Sequence, residues 1–244
     1  MKMSRFIIAV FTVMLGSFVQ CSDDNDPASV EPRLNTASGQ FIEGYFNDTL
    51  RITFTFTDGD GDVGLDFDDP QHYRHPYERS FFYLKSTGEK VSSDKLDDGE
   101  VSIDDLITYE DRFTPPFDSL PELTSCKYEN YSHNGGSIPV YRTENADHWN
   151  LEVRFFVEES PGNFVRRVWP DVICGPFYGL IPTQSNPVFT VRKIDQGKTE
   201  VVYSSARTIW RDLFNDARLQ VEIQIKDRAL HVSESMRTQP FESL

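Results

Sequence analysis

Thr49–Thr57 alternates polar and apolar residues without a break, with Leu50, Ile52, Phe54 and Phe56 on one side and threonines and Arg51 on the other. A period of two places successive side chains on opposite faces of a strand, so this run buries one face and wets the other. Such a strand needs a sheet to pair with and a second layer to cover its apolar face. Leu219–Lys226 repeats the pattern strictly, and Leu151–Val157 follows it less cleanly. Pro187–Arg192 and Glu200–Tyr203 are predicted to pair across a turn at Asp195–Lys198, and Phe81–Leu84 is a short apolar strand. Only Ala206–Asp216 has a helical pattern, with Ile209, Leu213 and Trp210 able to share a face. Many strands and scarcely any helix predict an all-β, antiparallel β-sandwich with at most one short helix.

Residues 87–149 are less regular, rich in Asp, Ser, Pro and Gly, as in Asp97-Asp98-Gly99, Thr114-Pro115-Pro116 and Asn134-Gly135-Gly136. A structureless stretch of that length is uncommon inside a compact domain. It is therefore predicted to be a loop-rich insertion in a single domain covering 39–244.

The N-terminus carries an address. Lys2 and Arg5 precede an apolar run from Phe6 to Val19, which ends at Cys21 and the acidic cluster Ser22-Asp23-Asp24-Asn25-Asp26. The run is short of the ~20 residues a spanning helix needs, and its order is that of an export signal. A cysteine directly after the run resembles the signal of bacterial lipoproteins, although Gln20 stands where a small residue is usual and Phe18 where leucine is. The expectation is a lipoprotein signal peptide over 1–20, lipidation at Cys21, and a flexible acidic tether over 21–38. Acyl chains contribute about 0.8 kcal/mol per buried methylene, enough to hold a domain on outer-membrane lipid without a membrane helix.

Charge narrows the partners. The precursor carries −15, and loss of Lys2 and Arg5 with the signal takes the mature chain to −17. That balance excludes nucleic acid, whose phosphates require Lys and Arg, and suits cation binding. With Cys21 set aside, Cys126 and Cys174 form an even pair in an exported chain and are expected to be disulfide-bonded, a link stabilising by about 4 kcal/mol in the chain-entropy view. His72, His75, His133 and His148 lack ligand spacing and are expected at the surface. Tyr73, Tyr77, Trp149, Trp169 and Tyr178 are candidates for a sugar-stacking surface, or for core.

The motif with chemistry in it follows the best strand: Asp58-Gly59-Asp60-Gly61-Asp62-Val63-Gly64-Leu65-Asp66-Phe67-Asp68-Asp69. Carboxylates at 58, 60 and 62 can curl around one hard cation, and Ca²⁺ takes six to eight oxygens. Asp66, Asp68 or Asp69 would close the shell. Val63 and Asp69 occupy the places of the EF-hand's glycine and glutamate, so this is no EF-hand: the motif reads either as a plain solvated acidic turn or as a calcium loop on a β scaffold.

Thr55–Gly64 resembles the F-x-D-G-D-G-D-[IV]-G signature of a family of Bacteroidota surface lipoproteins. Ile225–Ser233, followed by Thr238-Gln239-Pro240, resembles that family's closing I-x-D-R-A-x-N-x-S pattern, with His231 in place of asparagine. The resemblance implies an immunoglobulin-like extracellular domain and brings no activity with it. Within the second patch, Asp227-Arg228 is expected to lock a corner, since a guanidinium forks onto carboxylates and backbone. No nucleophile elbow, zinc-protease helix, P-loop or dinucleotide fingerprint occurs. The expected role is a cell-surface lipoprotein of non-catalytic type, a binding or scaffold module facing a surface protein or extracellular glycan. The alternative is a carbohydrate-active enzyme or glycan-binding protein whose site does not show in sequence.

Overall fold

The alternation around Thr49–Thr57 becomes strand β2 (Asp48–Thr57), whose residues are buried and half-buried in strict turn. In the computed structural model, residues 30–44, 48–66, 68–124, 126–133, 135–168, 177–194, 198–207, 209–214 and 217–243 are described. β2 lies in a four-stranded antiparallel sheet, between β1 (Arg33–Ile42) and β11 (Lys198–Arg207), with β10 (Phe189–Lys193) at the far edge. β10 and β11 are the hairpin expected from the sequence, its turn at 195–197 lying outside the described residues.

The second sheet is built on β7 (Leu151–Ser160) and β12 (Arg218–Ile225), paired antiparallel from Leu151–Ile225 to Val157–Leu219. β8 (Asn163–Arg167) and β9 (Phe177–Gly179) flank β7, and the two-residue strands β13 (Met236–Arg237) and β14 (Phe241–Glu242) flank β12. Leu50, Ile52, Phe54 and Phe56 of the first sheet share one core with Leu151, Val153, Phe155, Leu219, Val221 and Ile223 of the second. The chain is thus an all-β antiparallel sandwich. The helix expected over 206–216 forms as a single turn and a half, Ile209–Phe214. It sends Trp210 and Phe214 into the core with their rings parallel within 10°. Burial of Trp210 leaves no lone donor, since Nε1 donates to Ser205 O at 3.0 Å.

Two boundaries differ from the sequence reading. The tether predicted to run to residue 38 gives way to β1 at Arg33. Only Leu34, Ala37 and Phe41 of β1 pack on the core. Its order comes from the backbone ladder with β2, which leaves little trace in hydropathy. The predicted loop-rich insertion also contains strands β4 (Lys90–Ser92), β5 (Tyr128–His133) and β6 (Gly136–Glu144), which join the expected strand at Phe81–Leu84, here β3 (Ser80–Tyr83), in a third sheet of order β4-β3-β6-β5. A small core of Phe82, Leu106 and Val140 sits beneath it, and a five-residue helix, Ser93–Asp97, follows β4. β4 is too short to show a period of two, and in β5 and β6 the turn residues around them and Pro139 within β6 obscure it.

Candidate functional site

Past Thr57 the chain leaves the sheet and turns back on itself. Asp58 Oδ2 accepts the N–H of Val63 at 3.1 Å, closing a loop in which Gly61 takes φ +77°, a region glycine enters at no steric cost. The curl brings one carboxylate oxygen each from Asp58, Asp60 and Asp62 within 4.8 Å of one another. Asp60 is exposed, while Asp58 and Asp62 are half-buried. Asp58 Oδ1 and Asp62 Oδ1 lie out of solvent with no hydrogen-bond partner.

Burial pushes the Asp58 carboxyl up to about 6, with the Val63 N–H pulling the other way and Asp60 and Asp62 adding repulsion. The Asp62 carboxyl is also raised, first by burial, then by the charges of Asp227 and Asp60, against the pull of Arg228. Three acids meeting in a partly desolvated loop favour either a proton or a bound cation.

The acids at 66, 68 and 69 do not join them. Asp66 Oδ1 accepts the N–H of Asp68 at 3.0 Å, and Asp69 Oδ1 caps the 3-10 turn Pro70–Tyr73 through Gln71 N at 2.9 Å. Asp68 is exposed. The closing acid expected from Asp66, Asp68 or Asp69 is thus not brought to the three that converge, because local turns hold the Asp66 and Asp69 side chains and Asp68 points to solvent.

Downstream the loop is anchored by three segments. Leu65 N donates to Ile181 O and Thr183 N to Leu65 O, both at 2.9 Å, a two-residue parallel bridge. A Cβ at Gly64 would meet the Thr183 backbone at 3.1–3.2 Å, so any larger residue would have to push the two segments apart by a few tenths of an ångström. Asn150, buried just before β7, donates through Nδ2 to Val63 O at 2.6 Å and Ile181 O at 3.0 Å, and accepts from Ile181 N at 2.6 Å. Nothing in its local sequence marks Asn150 out; it is a polar residue ahead of a strand.

The third anchor is the Asp227–Arg228 corner. Asp227, buried, accepts from His231 N at 2.7 Å and pairs with His231 Nδ1 at 2.8 Å. Arg228 Nε donates to Asp62 O at 3.2 Å, its guanidinium also touches His72 Nε2, and Tyr77 Oη donates to Arg228 O. The two patches that carry the family resemblance therefore meet in space, and the pair at 227–228 locks a corner as expected.

The histidines depart from expectation. His72 and His148 are buried rather than superficial: His72 Nδ1 receives the Asp66 N–H at 2.7 Å, and His148 Nδ1 bonds Tyr77 O at 2.8 Å. Burial lowers the pKa of His148. Each sits within a 3-10 turn, His72 engaged at both ring nitrogens and His148 at Nδ1, contacts that their neighbours in sequence do not announce.

Of the aromatic candidates, Trp149 and Tyr178 come together, their rings parallel within 9° and 5.9 Å apart. Tyr73 lies against His148 at 6.3 Å and Tyr77 serves the Arg228 corner. Trp169, Cys21 and Cys174 lie outside the described residues, so the stacking role of Trp169, the lipidation and the pairing of Cys126 with Cys174 rest on the sequence. No family model, curated protein or solved structure matches the chain.

Proposed function

We propose that this chain is a cell-surface lipoprotein, held on outer-membrane lipid through Cys21, that acts as a binding or scaffold module with calcium in the Asp58–Asp62 loop. One observation carries the calcium reading. Two carboxylate oxygens, Asp58 Oδ1 and Asp62 Oδ1, sit out of solvent without partners beside a third converging carboxylate. Leaving such an atom unsatisfied costs about 1–3 kcal/mol, and a hard divalent ion would satisfy all three while cancelling their repulsion. Paired carboxyl groups of glycosidases stand roughly 5–9.5 Å apart to admit a reacting sugar, whereas these oxygens lie within 4.8 Å. Their spacing favours ligands of one ion over an acid–base pair.

Calcium there would tie the loop between the two sheets, since its backbone already engages Asn150, Ile181 and Arg228. The address rests on the N-terminal signal, and a Cys126–Cys174 bridge belongs to the same oxidising compartment. The partner of such a module is a surface protein or an extracellular glycan.

Thermal unfolding of the purified protein in chelator and in millimolar Ca²⁺ tests the loop, because a ligand at a hundred times its Kd stabilises by about 2.7 kcal/mol. The expected result is a rise of several degrees that Asp60→Asn abolishes; an unchanged melting curve would defeat the reading. Replacing Cys21 with Ala should release the protein from membranes on cell fractionation, and continued attachment would refute the anchor.

A further inference from the structure

The outer face of the second sheet carries a cavity of about 220 Å³ where Trp149 and Tyr178 meet Glu152, Gln224 and Lys226. We propose that this cleft is a subsite for one unit of a neutral, hydroxyl-rich sugar chain, stacked on Trp149 and Tyr178. The inference rests on the binding-module reading and names the ligand class and the place where it is held.

Three features point to that class. The two near-parallel rings offer flat apolar surface, which suits the C–H face of a sugar ring. The volume is below the ~300–1,000 Å³ typical of pockets for drug-sized ligands, and so fits a single unit of a chain that continues into solvent.

The polar lining is fixed in advance and carries no unbalanced charge. Arg154 donates to both Glu152 oxygens, at 2.7 and 2.6 Å, and to Gln224 Oε1 at 2.8 Å. Lys226 Nζ is balanced by Asp147 Oδ1 at 2.8 Å. An anionic or cationic ligand would break one of these pairs, whereas hydroxyls can share their remaining donor and acceptor capacity.

The register explains why such a site forms here. Glu152 lies opposite Tyr178 on β9 and Gln224 on β12, and all three alternate with core residues, so the pleat turns them outward together. Trp149 enters from the turn just before β7, beside the Asn150 clamp.

The test is calorimetric titration of the full chain, in a detergent without sugar headgroups, with neutral pentasaccharides of glucan, xylan and mannan and with adenosine as a flat aromatic control. At least one pentasaccharide should bind with a Kd below about 1 mM. Trp149→Ala and Tyr178→Ala should each weaken it tenfold or more with unchanged melting temperature, and Trp149→Phe should keep most of the affinity. Absence of saturable heat for every sugar, equal binding by the alanine variants, or selective binding of adenosine would overturn the assignment. The two readings separate in the wild-type protein: a calcium-dependent melting shift without sugar binding removes the sugar subsite alone. Sugar binding without a calcium shift removes the calcium loop alone.

Discussion

Arg228 Nε donates to the carbonyl oxygen of Asp62 across 3.2 Å of space and 166 positions of chain. The bond fastens the last corner of the second sheet to the loop that follows the first sheet's best strand. It also sets the guanidinium beside the Asp62 carboxyl, where its attraction opposes the burial and the Asp227 and Asp60 charges that raise that carboxyl. Removing it should loosen the loop and the corner together. Arg228→Lys keeps the charge and loses the planar fork, and should cost about 1–2 kcal/mol; Arg228→Ala should cost about 2–3 kcal/mol. Urea denaturation monitored by tryptophan fluorescence checks both values.

Asn150 is the other fastening. Asn150→Ala would strand the Ile181 N–H and the Val63 carbonyl in a buried position, while Ile181 O keeps the Leu65 N–H, at an expected cost of about 3 kcal/mol. A loss below 1 kcal/mol in the same denaturation assay would mean that water replaces the carboxamide.

In chelator, Asp62→Asn should stabilise the protein by about 1 kcal/mol, because it removes a partly desolvated charge facing Asp60 and Asp227. In calcium the order should reverse, the wild type gaining more than the variant. The comparison needs only unfolding midpoints in the two buffers.

The Asp227 carboxylate beside it raises the pKa of His231. A group whose folded pKa is raised contributes stability that is fully present below its unfolded value, here 6.5, and lost as pH rises through the higher folded value. The stability advantage of wild type over His231→Asn should therefore be larger at about pH 5.5 than at about pH 8.5. A proton NMR titration should place the His231 midpoint above 6.5.

The ring of Phe241 on β14 covers Gly39 on β1, where an added Cβ would lie 2.3 Å from the ring. Gly39→Ala should displace Phe241 and cost roughly 1–3 kcal/mol, the usual range for overpacking. Hydrogen exchange should show faster opening of β14 and little change in β7.

Local pattern made the central strands legible. β2, β7 and β12 sit where their period of two places them, because a strand buried on one face must alternate whatever lies across from it. Neither β1 nor, in the third sheet, any strand but β3 showed. β1 is an edge strand ordered by its neighbour's backbone; β4 is only three residues long, and β5 and β6 sit among turn residues, with Pro139 inside β6. The converging acids were legible at 58, 60 and 62, where glycines force a tight loop. The extension to 66, 68 and 69 failed, since a 3-10 turn and His72 claim that segment.

The sequence by itself determined the strand-rich class and the acidic loop, because each depends on residues near one another in the chain. Only the tertiary structure decided what touches that loop: Asn150, Ile181 and Arg228 arrive from three distant segments. It also brought Tyr178 to Trp149 across the pleat of the second sheet. Backbone groups accept any suitably placed donor, so such contacts leave no signature in either partner's local sequence until the sheets set the distances.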